Sequence, residues 1–127
     1  MIDFREFELN WKPNQFLTAP RDLCRNAEPH AESPIFDLTP VELFSAVRKL
    51  AGSEPRVTET RIDENRLQAV FVARSKVFRF PDIIDVLVLD AGEGRSTLAV
   101  YSRAKIGIRD FGVNRKRIED WLRRLKG

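Results

Sequence analysis

Apolar residues recur at helical spacing in two stretches of the chain and alternate at strand spacing between them. Leu43, Phe44, Val47, Leu50 and Ala51 fall on one side of a helix. Thr39 precedes them as an N-cap, and Pro40 takes the first helical position, where a missing N–H costs nothing. Glu42, three residues after Thr39, completes a capping box, and Leu38 can staple onto Leu43 across it. Gly52 is expected to end this helix in a left-handed conformation. In the second stretch Ile118, Trp121, Leu122 and Leu125 predict a helix from about Val113 to Lys126. Asn114 or Asp110 would cap it, Gly112 relaxes the turn before it, and Arg123, Arg124 and Lys126 suit its negative end.

Between the helices the spacing predicts strands at Val57–Ile62, Leu67–Arg74, Ile83–Leu89 and Thr97–Ser102. Asp63–Asn65 reads as a turn, and Asp90–Arg95, with two glycines, as a hairpin loop. Consecutive hairpins give an antiparallel meander of four strands or slightly more. Both helices can cover one face of it. Residues 1–34 differ: they hold four of the seven prolines and little periodicity. They read as an irregular N-terminal arm anchored by Trp11, Phe16 and Leu17, with Ile2–Trp11 a short strand or hydrophobic arm and Ile35–Asp37 another short strand. The expectation is one α+β domain over residues 1–127, an arm at 1–34 and a core at 35–127. The sheet's second face then needs cover from that arm or from a partner, such as a second copy in a homodimer.

The composition bounds the chemistry. With 43% hydrophobic and 32% charged residues in 127, the chain reads as an ordinary soluble globular protein. No run approaches the roughly 20 apolar residues of a membrane span. The opening MIDFREFELN has no apolar signal region, so a cytoplasmic location is expected. One cysteine, Cys24, excludes an internal disulfide framework, and one histidine, His30, excludes multi-histidine metal sites. No metal and no cofactor are expected. Cys24 and His30 could pair as nucleophile and base, but their loop supplies no evident third group.

Charge is distributed unevenly. Residues 1–100 hold 13 Lys and Arg against 16 Asp and Glu, whereas residues 101–127 hold 9 against 3. The stretch from Ser102 to Arg117 joins the last strand to the last helix and places Arg115, Lys116 and Arg117 in that helix's first turn. Cations normally avoid this end of the dipole, and a local rule broken in this way marks either a site or a buried ion pair. In one reading, backbone N–H groups and arginine forks hold a phosphate or carboxylate. In the other, Asp110, Glu119 or Asp82 neutralises the arginines and locks the corner. Arg74–Asp82 mixes cations with Phe78 and Phe80. Base stacking would use such a mix, but so would a crossover packing both rings into the core, and no nucleic-acid motif accompanies it. Asp110-Phe111-Gly112 spells a kinase triplet without the rest of the kinase set, and Gly92-Glu93-Gly94 opens no helix.

The candidate ligand-binding corner is therefore Arg74, Arg79, Ser102, Arg103, Asp110, Asn114, Arg115 and Arg117. Arg103 and Arg115 would grip the anion, and Asp110 and Asn114 would hold the loop. Three functions fit: a small binding module for an anionic small molecule or acidic protein, a carrier of an apolar or amphipathic molecule, or a hydrolase or cyclase using a pocket carboxylate. Catalysis is the least favoured of these, because only a carboxylate could serve as general base.

The run from Ser102 to Arg117, with Arg74-Ser75 and Phe80-Pro81-Asp82 upstream and Pro13–Pro20 earlier, resembles the bacterial and plastid family called domain of unknown function 1499. The resemblance spans roughly residue 11 to the C-terminus. It implies no activity. Many members carry a cysteine directly after the early asparagine, where this chain has Gln15, so no role of that cysteine transfers. Many also carry an N-terminal membrane helix or lipoprotein signal, which these opening residues do not resemble. More distantly, the arrangement is similar to the helix-grip fold of START-like proteins, which implies a sheet curled around the C-terminal helix and often an apolar cavity.

Overall fold

The computed structural model describes residues 1–127. In chain order the elements are β1 (Gln15–Ala19), β2 (Ala31–Glu32), α1 (Pro40–Ser53), β3 (Val57–Asp63), β4 (Gln68–Arg74), β5 (Pro81–Asp90), β6 (Ser96–Ala104) and α2 (Val113–Lys126). The meander β3–β4–β5–β6 forms as expected, antiparallel throughout. The sheet is nevertheless larger than four strands and is mixed. Its order is β2-β1-β6-β5-β4-β3, with β1 antiparallel to β6 and β2 parallel to β1. Both added strands come from the arm expected to be irregular. Five residues between Pro13 and Pro20, and a further pair, are too short to register as periodicity; β6 supplies the template that orders them. Ile2–Trp11 forms no strand, and Phe36 makes only an isolated bridge to Ser96.

Helix α1 starts as its sequence dictates. Glu42 N–H donates to Thr39 Oγ1 at 3.2 Å, and Thr39 N–H donates to Glu42 Oε1 at 2.9 Å. The Thr39 amide, and after it the Thr39 hydroxyl, lower the pKa of the Glu42 carboxyl. The helix ends later than expected: Gly52 lies inside it, and Glu54 caps it in an extended conformation. Pro55 accounts for this, because a residue before proline is pushed out of the helical region.

Two apolar layers sandwich the sheet. On one face Phe71, Ile84, Val86, Leu98 and Val100 pack against Leu43, Phe44 and Val47 of α1 and Ile118 and Trp121 of α2. On the other, Leu17, Ala19, Ala99 and Tyr101 are covered by Phe4 and Leu23, with Ile2, Phe7 and Leu9 alongside. The chain's own arm thus covers the second face. Its anchor is Phe4, only 1% exposed, whereas Trp11 is 75% exposed and anchors nothing.

Candidate functional site

Strand alternation parts the candidate residues at the start. Successive side chains of β6 point to opposite faces, so Ser102 faces α2 and Arg103 faces the arm. Arg103 Nη1 donates to Asp85 Oδ2 at 2.5 Å, and its guanidinium lies 4.7 Å over the Tyr101 ring. Asp85 is 1% exposed and also accepts the Ile2 amide at 3.3 Å. The Tyr101 hydroxyl donates to Gln15 Oε1. Burial raises the Tyr101 pKa, with the Arg103 charge opposing it. Arg103 is therefore committed to a carboxylate beneath the arm.

The helix face holds a second network. Ser102 Oγ donates to Asn114 Oδ1 at 2.5 Å. Arg117 Nη1 donates to the same oxygen at 2.9 Å and to Ser102 Oγ at 3.1 Å, while Arg117 Nη2 reaches Asp82 Oδ2 at 2.9 Å. Asn114 Nδ2 donates to Asp110 Oδ2 at 2.7 Å and to the Asn14 carbonyl at 3.2 Å. Asn14, itself buried, donates through Nδ2 to the Gly107 carbonyl at 2.8 Å. Asp110 caps α2 from two residues ahead of the Gly112 N-cap, accepting the Gly112 and Asn114 amides at 3.0 and 3.2 Å. Gly112 is left-handed at φ +80° and has no side chain to do this itself. Asn14 and Asp85 carry two of the closest contacts here, yet neither was a candidate. Asn14 lies within the Pro13–Pro20 stretch of the resemblance, and Asp85 within the stretch Ile83–Leu89 that predicts a strand.

The remaining candidates line a rim. Arg74 and Arg79 are exposed, and Arg74 Nη1 donates to the Arg79 carbonyl at 3.1 Å. Arg115 is exposed, pairs loosely with Glu119 at 3.4 Å and lies 5.7 Å over the Phe16 ring. Thus Arg117, Ser102, Asn114 and Asp110 meet in one network, Arg103 lies through the sheet from them, and Arg74, Arg79 and Arg115 stand outside. Lys105, Arg109 and Lys116 are exposed and make no ion pair. Phe44, Phe71 and Trp121 fill the core, but Phe78 and Phe80 do not: they stack on each other at 5.5 Å in the solvent-exposed β4–β5 loop.

Residues 10–125 match the family model described as "Protein of unknown function (DUF1499)". The chain belongs to the DUF1499 family. A search of curated proteins finds no match. Among solved structures, the crystal structure of Ara h 8.0201, a Bet v 1-like neighbour, is similar with a TM-score of 0.53 at 12% identity, covering 76% of this chain and 92% of that one. At that identity the likeness concerns the fold.

In this DUF1499 chain the space between sheet and α2, lined by Val47, Val86, Leu98, Val100, Ile118 and Trp121, amounts to about 10 Å³. An open hollow of about 210 Å³ lies beside Arg56, Arg74, Arg117 and Asp120. A surface hollow of about 590 Å³ is lined by the segment 19–32, including Cys24 and His30. Burial raises the Cys24 pKa, which disfavours the thiolate that a nucleophile needs. Burial also lowers the pKa of His30, and its Nδ1 accepts the Leu17 amide at 2.8 Å, which requires the neutral ring. The ring acts as a structural partner for β1, and no hydrogen bond joins it to Cys24.

His30 is the only histidine in the chain, so its titration is readable. Because its folded pKa lies below the unfolded value of 6.5, the unfolded state binds the proton first. Stability is expected to be full above pH 6.5, to fall as pH drops from there toward the folded pKa, and to level off below it. Urea unfolding of the native chain and of His30→Gln across this range checks this; an unchanged slope in the variant would assign the pH dependence elsewhere.

Proposed function

We propose that the protein is a small binding module whose working surface is the loop end of the sheet, where Arg74, Arg79, Lys105, Arg109, Arg115 and Lys116 attract an anionic group. The observation that carries this reading is the division of labour among the cations. Arg103 and Arg117 are neutralised by Asp85 and Asp82, and they hold the framework. Arg79, Lys105 and Arg109 remain exposed without a carboxylate. Arg103 therefore drops out of the expected grip and Arg115 stays in it, joined by the other rim cations, while Asp110 and Asn114 keep their role of holding the loop.

The other readings are less well supported. A carrier needs an apolar cavity of roughly 300 Å³ or more, against about 10 Å³ between sheet and α2. A hydrolase or cyclase needs a free pocket carboxylate, whereas Asp82 is ion-paired and Asp110 caps a helix. A homodimer is no longer needed to cover the second face, which the arm covers. A free thiol at Cys24 fits a cytoplasmic setting. No helix is long and apolar enough to cross a membrane.

Titration of the full chain with inorganic phosphate, followed through amide NMR shifts, tests the reading. Saturable shifts are expected at residues 105–116, lost in Arg79→Ala/Arg109→Ala and retained in Asp85→Leu/Arg103→Met, which removes the buried pair without leaving a charge behind. Absence of saturable shifts, or their survival in the double variant, would refute it.

A further inference from the structure

The same end of the molecule carries its densest group of exposed apolar side chains. The β4–β5 loop presents Val77, Phe78 and Phe80, and the β6–α2 loop presents Ile106, Ile108 and Phe111. Phe111 is 89% exposed. The two loops are neighbours, because β5 and β6 pair up to Asp82 and Ala104 and the Lys105 amide then donates to the Pro81 carbonyl at 3.0 Å.

These side chains do not belong to slack loops. The β4–β5 loop is closed by Ser75, whose amide donates to the Phe80 carbonyl at 3.1 Å and whose Oγ accepts the Phe80 amide at 2.9 Å. The β6–α2 loop is held from below by Asn14 on Gly107 and by the Asp110 cap. Polar groups therefore anchor the base of each loop and leave the apolar residues at its tip. Exposed apolar clusters of this kind mark interaction surfaces.

The charges identify the partner. Residues 75–81 contain Lys76 and Arg79, residues 105–109 contain Lys105 and Arg109, and neither segment contains an acid. We propose that the two loops dock the protein onto an anionic lipid bilayer, Phe78, Phe80, Phe111 and their aliphatic neighbours entering the interface while Lys76, Arg79, Lys105 and Arg109 meet lipid phosphates. A bilayer interface presents phosphates just above apolar acyl chains, which matches cations interleaved with apolar tips. Projecting loop tips suit insertion into such a surface, and phenylalanine rings flanked by cations enter the headgroup and acyl-chain boundary. This inference rests on the anion-binding reading above and names the anion as a lipid headgroup.

Co-sedimentation of the full chain with vesicles tests it, using phosphatidylcholine alone and phosphatidylcholine mixed with phosphatidylglycerol. Binding is expected to the mixed vesicles and to fall steeply with added salt. Phe78→Ser/Phe111→Ser is expected to weaken vesicle binding about tenfold or more while leaving the phosphate-induced NMR shifts intact. Arg79→Ala/Arg109→Ala is expected to lose both. All these positions are exposed, and an unchanged thermal melt confirms that the variants fold. Phosphate shifts without vesicle binding would overturn the membrane proposal and spare the anion site. Loss of both in the native chain would overturn both. Vesicle binding indifferent to the phenylalanine changes would overturn insertion, and binding to polyglutamate in place of vesicles would reassign the surface to an acidic protein.

Discussion

Asp85→Ala is expected to destabilise the fold by about 3–5 kcal/mol, the range for breaking a desolvated ion pair by removing one partner. Asp85 is almost fully buried, and the side chain of Arg103 is only 19% exposed. Removing the carboxylate strands the guanidinium under the arm and takes away the acceptor of the Ile2 amide. Asp85→Leu/Arg103→Met should recover most of the loss, because two apolar side chains can occupy this layer without a charge to solvate. Urea denaturation of the two variants beside the native chain measures both effects. A loss below about 1 kcal/mol for Asp85→Ala would mean that the pair is solvated like a surface bridge.

Phe4→Ala is the second large effect, again about 3–5 kcal/mol. Phe4 packs edge-on to Phe7 at 5.7 Å, and Phe7 lies 5.0 Å from Tyr101. The ring is the arm's main attachment to the second sheet face, so its removal should do more than leave a cavity. The Arg25 amide, which donates to the Arg5 carbonyl at 3.0 Å, should lose protection from hydrogen exchange. The uncovered β1–β6 surface should then bind a hydrophobic dye. Native-like exchange at Arg25, with a loss below about 1 kcal/mol, would show that the arm is held by other contacts.

What could be read in advance follows the range of each interaction. The capping box of α1 involves residues three apart, and the α2 stripe repeats within one helix, so both were visible locally. The four meander strands join neighbours in sequence and were visible as well. Strand β1 was not, because its partner β6 lies about 85 residues away and nothing within Gln15–Ala19 announces it. The candidate corner behaved in the same way. Asp110 was expected to cap, and Asp82 was among the carboxylates expected to neutralise an arginine. The separation of Ser102 from Arg103 was implicit in the period-two alternation of β6. What that alternation could not supply was the register of β5 against β6, and so that Asp85 would meet Arg103 on one face while Asp82 met Arg117 on the other.

The placement of β1 beside β6 also has a consequence for synthesis. A ribosome releases Phe4 and Leu17 early, but the strand they pack against is completed only at Ala104. Until then the arm's apolar side chains face water, and the sheet edge that will receive β1 does not exist. The Asn14–Asn114 contact closes later still, across a separation of 100 residues. Long-range closure of this kind slows folding and leaves sticky intermediates exposed. Residues 4–19 are thus made long before the strand that fastens them, and the emerging chain must keep these apolar side chains from other partners until β6 has appeared.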